Sequence, residues 1–122
     1  MKHILVVDDS PTIRKAIRRI LEQLGHVVEE AGDGEEAIAR LQGPARYDAV
    51  LCDIDMPNMD GLAFLGALPK FPAISPPPII MCTTHTSFDK IALALTLGAS
   101  EYIMKPFDSE IIASKLDACG VT

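Results

Sequence analysis

The chain has 122 residues, slightly under one domain at roughly 150 residues per domain, and a core of that size needs no staples. Hydrophobic residues make up 48% and charged residues 23%, which excludes a disordered, collagen-like or coiled-coil chain. The net charge of −6 weighs against general nucleic-acid binding, and the acidic excess is uneven, with −5 in residues 1–61 and −1 in residues 62–122.

Apolar runs and helical patterns alternate along the chain. Ile4 to Val7 is a short continuous apolar run that ends in acids, the pattern of a strand buried on both faces. Ser10 and Pro11 then supply an N-cap and a first-turn proline. Ile13, Ile17, Ile20, Leu21 and Leu24 follow at helical spacing, with the basic stripe Arg14, Lys15, Arg18 and Arg19 opposite, and Gly25 is the stop. The stripe reads as a solvated face that lies beside the first strand end, where it could also meet a partner. His26 to Ala31 predicts a weaker strand near a sheet edge. Asp33 and Glu36 have capping-box spacing before a short helix broken by Gly43-Pro44.

Ala49 to Cys52 predicts a third strand ending in Asp53, followed by the loop Met56 to Gly61 and a helix over Leu62–Leu68. Five prolines in residues 69–78 forbid continued helix and read as a rigid loop; a proline-type recognition segment is the sharper alternative. Pro78 leads a fourth strand into Thr83. Residues 91–97 fit a helix closed by Gly98, apolar nearly all round, with Leu93 and Leu97 expected toward the rim. Tyr102 to Met104 predicts a fifth strand ending at Lys105, and Asp108 caps a last helix through Leu116. Five strands alternating with five helices predict an α/β fold, a parallel sheet covered on both faces.

No run approaches the roughly 20 apolar residues of a membrane span, and the N-terminus turns charged too soon for a signal peptide. Cys52, Cys82 and Cys119 form no CxxC pair and read as reduced thiols of a cytoplasmic protein, the first two buried beside the strand ends without a catalytic role.

In a parallel sheet the binding crevice lies at the carboxyl ends of the strands. The residues there are Asp8-Asp9, Asp53, Thr83 and Lys105. Three neighbouring carboxylates repel one another unless a cation offsets them, and a donor set of carboxylates alone suits Mg²⁺. Zinc is disfavoured, because His3, His26 and His85 lie on different elements. Metal, ammonium and hydroxyl together suit a phosphoryl group, and without a glycine-rich phosphate loop the chemistry left is an aspartyl phosphate.

Val6-Val7-Asp8-Asp9-Ser10, Asp53 to Gly61, Thr83-Thr84 and Lys105-Pro106-Phe107, in that order and over essentially the whole chain, resemble the receiver domain of bacterial two-component response regulators, of the single-domain chemotaxis type. The resemblance implies a flavodoxin-like doubly wound sheet with strand order 2-1-3-4-5 and a single domain over residues 1–122. It implies Asp53 as phosphoacceptor, and Asp8, Asp9, Asp53 and the backbone carbonyl of Asp55 as the Mg²⁺ site. Thr83 and Lys105 would hold the phosphoryl group, Thr83 and Tyr102 would act as the switch, and Lys105-Pro106 would be a cis bond. The implied partners are a sensor histidine kinase or phosphotransfer protein as donor and a downstream effector or output domain. The signalling face would be the fourth helix, fifth strand and fifth helix, on a monomer or a phosphorylation-dependent dimer, with no membrane or direct nucleic-acid role.

The chain departs from the family pattern at Asp55, Thr84 and His85, which are candidates for tuning phosphoryl lifetime. Three rival readings are a flavodoxin-like cofactor binder, disfavoured by Asp8-Asp9 where a phosphate loop would stand, a phosphorylation-independent scaffold, and a phosphohydrolase. A module that phosphorylates itself, rather than a turnover enzyme, is the reading preferred. Either a stand-alone regulator or the receiver of a longer chain fits it.

Overall fold

The short apolar runs form one parallel sheet in the computed structural model, which describes residues 1–83, 88–105 and 107–121. Its strands are β1 (His3–Val7), β2 (Val27–Ala31), β3 (Ala49–Asp53), β4 (Ile79–Thr83) and β5 (Glu101–Met104), in the order 2-1-3-4-5. The helices between them are α1 (Pro11–Gln23), α2 (Gly34–Gln42), α3 (Gly61–Ala67), α4 (Phe88–Thr96) and α5 (Ser109–Ala118). This is the flavodoxin-like doubly wound arrangement. No described helix is long and apolar enough to cross a membrane.

The sheet is buried on both faces, which is why β3 and β4 have no exposed residue and no polar alternation. On one face Ile17 and Leu21 of α1 and Ile112 and Leu116 of α5 pack against Ile4, Val6, Leu51 and Ile80. On the other, Ala37 and Ile38 of α2, Phe64 and Leu65 of α3 and Ala94 of α4 cover Leu5, Val7, Val50, Cys52 and Met81. Cys52 and Cys82 therefore sit on adjacent strands but in opposite cores. Burial holds both thiols far above their ordinary range, Cys82 at about 12, so neither is a ready nucleophile.

The caps follow the sequence closely. Ser10, Asp33 and Asp108 each accept a hydrogen bond from the backbone N–H three residues on, and Asp60 does the same for α3. In the α2 box Glu36 accepts from Gly32 N–H at 2.7 Å, one residue before the cap, so the loop is tied down earlier than the spacing predicts. Gly25 and Gly98 end their helices at φ of +91° and +119°. One 3₁₀ turn, Leu68–Lys70, extends past α3 because Pro69 sits in its first turn, where no N–H is needed. The proline-rich residues 71–78 then form no helix or strand, and α4 starts three residues before the apolar run at 91–97.

The sheet order reverses between β1 and β3, and the register sets the site there. Val7 lies opposite Cys52, Asp53 opposite Cys82, and Thr83 opposite Met104. The residues just beyond β1 and β5, Asp8 and Lys105, are thereby brought level with the ends of β3 and β4.

Candidate functional site

Asp8 and Asp9 follow β1, Asp53 ends β3, Thr83 ends β4 and Lys105 follows β5. One carboxylate oxygen from each of Asp8, Asp9 and Asp53 lies within 4.8 Å of the others. Asp8 and Asp53 are buried, at 2% and 9% exposure, whereas Asp9 is open to solvent. The Lys105 ammonium is 2.9 Å from Asp8 Oδ2 and 3.7 Å from Asp53 Oδ1. Thr83 is also buried, and its carbonyl accepts from Lys105 N–H at 2.8 Å, so the two strand ends are pinned together.

Burial pushes the Asp53 carboxyl up to about 6; Lys105 pulls against this shift, and the Asp8 charge adds to it. Burial alone would lower the Lys105 ammonium, but its hydrogen bond to Asp8 and the charges of Asp53 and Asp8 outweigh burial and raise it. An ammonium held charged beside a desolvated carboxylate is a place for an anionic group. Three hard oxygen donors that one lysine only partly offsets also fit a divalent, oxygen-preferring cation such as Mg²⁺.

The raised Asp53 has a measurable consequence. The unfolded carboxyl ionises near 4 and the folded one near 6, so the unfolded chain releases its proton first and stability falls as pH rises through that window. Asp53→Asn should therefore stabilise the metal-free domain at pH 8 by about 1–2 kcal/mol, after allowing for solvent screening. The gain should shrink toward pH 4. Urea titration in the presence of a chelator at both pH values measures it.

Asp55 does not join the carboxylate cluster. Its side chain is exposed and lies 3.2 Å from Lys90 of α4, an ion pair between the loop after β3 and the helix beyond the site. Tyr102 is half-buried on β5. Its ring packs at the edge of the core, with the Lys115 ammonium 5.1 Å from its centre, and Lys115 also pairs with Glu101 at 3.0 Å. Thr84, His85 and Pro106, the last with its expected cis bond, lie outside the described residues.

The basic stripe of α1 is divided. Lys15 and Arg19 face solvent, but Arg14 and Arg18 fold onto Glu30 of the edge strand β2. Sequence reading missed this, and it missed Asn58, whose φ of +67° lets its amide reach Asp33 at 3.2 Å and anchor the loop after Asp53 to the start of α2. On α4 and just past its end, Leu93, Leu95 and Leu97 are exposed while Ile91 and Ala94 are buried, so the apolar rim expected at Leu93 and Leu97 is present and wider. The cavity lined by Arg46, Tyr47, Ile74 and Pro77 lies at the opposite ends of the strands, away from the carboxylates.

The family model of the response regulator receiver domain matches residues 4–117. The chemotaxis protein CheY1 of Helicobacter pylori is 36% identical over 115 residues, which cover 93% of this chain and 93% of that protein. The gliding motility regulatory protein of Myxococcus xanthus is likewise 36% identical over 115 residues, 93% of this chain but 15% of that much longer protein. Among solved structures, the chemotaxis protein CheY4 of Vibrio cholerae superposes with a TM-score of 0.88 at 37% identity, covering 100% of this chain and 99% of that one.

Proposed function

The chain belongs to the response regulator receiver domain family, and on that premise we propose that it accepts a phosphoryl group on Asp53 and signals through the surface of α4, β5 and α5. Receiver domains are phosphorylation-dependent signalling switches rather than turnover enzymes. The observation that carries the reading for this chain is the meeting of Asp8, Asp9, Asp53 and Lys105 at the sheet's switch point.

In the transfer, an Asp53 carboxylate oxygen attacks the phosphorus of a phosphohistidine on a sensor kinase or phosphotransfer protein, or of a small acyl phosphate. The new P–O bond forms as the donor's P–N or P–O bond breaks, and its electron pair leaves with the imidazole or carboxylate. When bound by Asp8, Asp9, Asp53 and the Asp55 carbonyl, Mg²⁺ supplies positive charge that offsets the phosphoryl oxygens. Lys105 pairs with one of those oxygens and the Thr83 hydroxyl donates to another. Movement of Thr83 then shifts Tyr102 between two positions, which alters the face where Leu93, Leu97 and Ile111 are exposed.

Asp55, Thr84 and His85 tune the lifetime of the phosphorylated form. Residues 1–122 act as one domain in the cytoplasm, as a monomer or a phosphorylation-dependent dimer, with an effector as downstream partner. Incubation with acetyl phosphate followed by intact-mass measurement tests the reading. One phosphoryl group should be gained with Mg²⁺ present and none with a chelator. No gain by the folded protein with Mg²⁺ would overturn it, and continuing phosphate release in place of stoichiometric uptake would favour the phosphohydrolase.

A further inference from the structure

The strand β1 ends at Val7, so the carbonyl of Asp8 falls beyond the sheet ladder and needs a partner from elsewhere. Arg14 supplies it. Its Nη1 donates to Asp8 O at 2.6 Å, and its Nε donates to Glu30 Oε1 at 2.9 Å. Arg18 holds the other Glu30 oxygen at 3.2 Å and donates to Val28 O, so both Glu30 oxygens are held by α1. The remaining polar groups of Asp8 are engaged too. Its N–H donates to Ala31 O, Oδ1 accepts from Ser10 N–H at 2.9 Å, and Oδ2 accepts from Lys105.

The Asp8 carbonyl belongs to the peptide plane that carries Asp9, the one exposed member of the carboxylate cluster. Turning that plane turns Asp9 relative to Asp8 and Asp53. We propose that Arg14 is a positioning residue for the cation site: braced by Glu30, it locks the Asp8–Asp9 peptide so that both carboxylates face Asp53. The inference rests on the Mg²⁺ reading above. It gives the α1 arginine a role toward the site, in place of the solvated or partner-binding face its sequence pattern suggests.

Arg18 is the matched control, because it shares Glu30 with Arg14 but does not touch Asp8. Calorimetric titration of Mg²⁺ should show binding weakened about tenfold in Arg14→Met, a typical loss when a residue that orients a metal ligand is removed, and within about twofold of the parent in Arg18→Met. In the metal-free protein, the amides of Asp9 and Ser10 should exchange hydrogen faster in Arg14→Met only. If Arg14→Met does not fold, Glu30→Gln takes its place and should weaken Mg²⁺ binding in the same sense. Parent-like Mg²⁺ affinity in Arg14→Met or, if that variant does not fold, in Glu30→Gln would overturn the inference alone. Equal weakening by Arg14→Met and Arg18→Met would do the same. A parent that binds no Mg²⁺ would overturn the underlying reading along with it.

Discussion

Asp53→Asn should abolish phosphoryl uptake from acetyl phosphate, lowering its rate at least about a thousandfold, while the parent takes up one group. The three carboxylates are not equivalent nucleophiles. Asp8 has both oxygens committed, to Ser10 N–H and to Lys105, and Asp9 is open to solvent. Asp53 is the last residue of β3, desolvated at the base of the crevice, with the Lys105 ammonium 3.7 Å away. Its carboxyl, raised to about 6, is ionised at neutral pH yet stripped of much of the water that would blunt it. Asparagine keeps the shape and removes the nucleophilic charge. Asp8→Asn and Asp9→Asn should slow uptake by weakening the cation site but leave the modification on Asp53, which peptide mapping of the phosphorylated protein would locate. Undiminished mass gain in Asp53→Asn would move the acceptor elsewhere.

Strands β1, β3, β4 and β5 were legible because each is a short apolar run closed or followed by a polar residue, and a strand covered on both faces needs no alternation to be seen; β2, with Glu29 and Glu30 at the sheet edge, gave a weaker signal. Helix starts were legible for a local reason. Ser10, Asp33 and Asp108 bond backbone three residues away, so sequence spacing is enough to find them. Edges were less clear where neighbouring turns compete, as at Leu68–Lys70, where proline permits one more 3₁₀ turn. The convergence of Asp8, Asp53 and Lys105 followed from topology and from a likeness to known motifs. Contacts between distant polar side chains left no such trace. Lys90 reaches Asp55 across 35 positions and Asn58 reaches Asp33 across 25, and nothing periodic marks either pair. Arg14 was the hardest to read: two turns of helix offer four basic residues, and only the fold decides which two turn inward.

Gly61→Ala should destabilise the domain by about 2–3 kcal/mol, whereas Gly66→Ala, five residues along the same helix, should stabilise it by up to about 1 kcal/mol. A methyl group on Gly61 would lie 2.5 Å from the carbonyl oxygen of Asp53, 2.6 Å from the terminal carbon of Met81 and 2.9 Å from the Ile54 backbone. The methionine can move aside, but the two backbone atoms lie at and just past the end of β3 and cannot yield without shifting it. Gly61 N–H also donates to Ile54 O at 2.9 Å, which draws the start of α3 against that strand end. At Gly66 nothing lies within 4 Å, and alanine there gains helix propensity and reduces the entropy of the unfolded chain. Thermal melts should separate the two variants by roughly 10 °C or more. The close approach at Gly61 is made to the residue proposed to carry the phosphoryl group, so the lost stability should come with a displaced Asp53. Slower phosphoryl uptake by Gly61→Ala, measured well below its melting temperature and set against parent-like uptake by Gly66→Ala, would show that the glycine places Asp53 as well as packing α3. Equal melting temperatures for the two variants would show instead that the end of β3 yields freely.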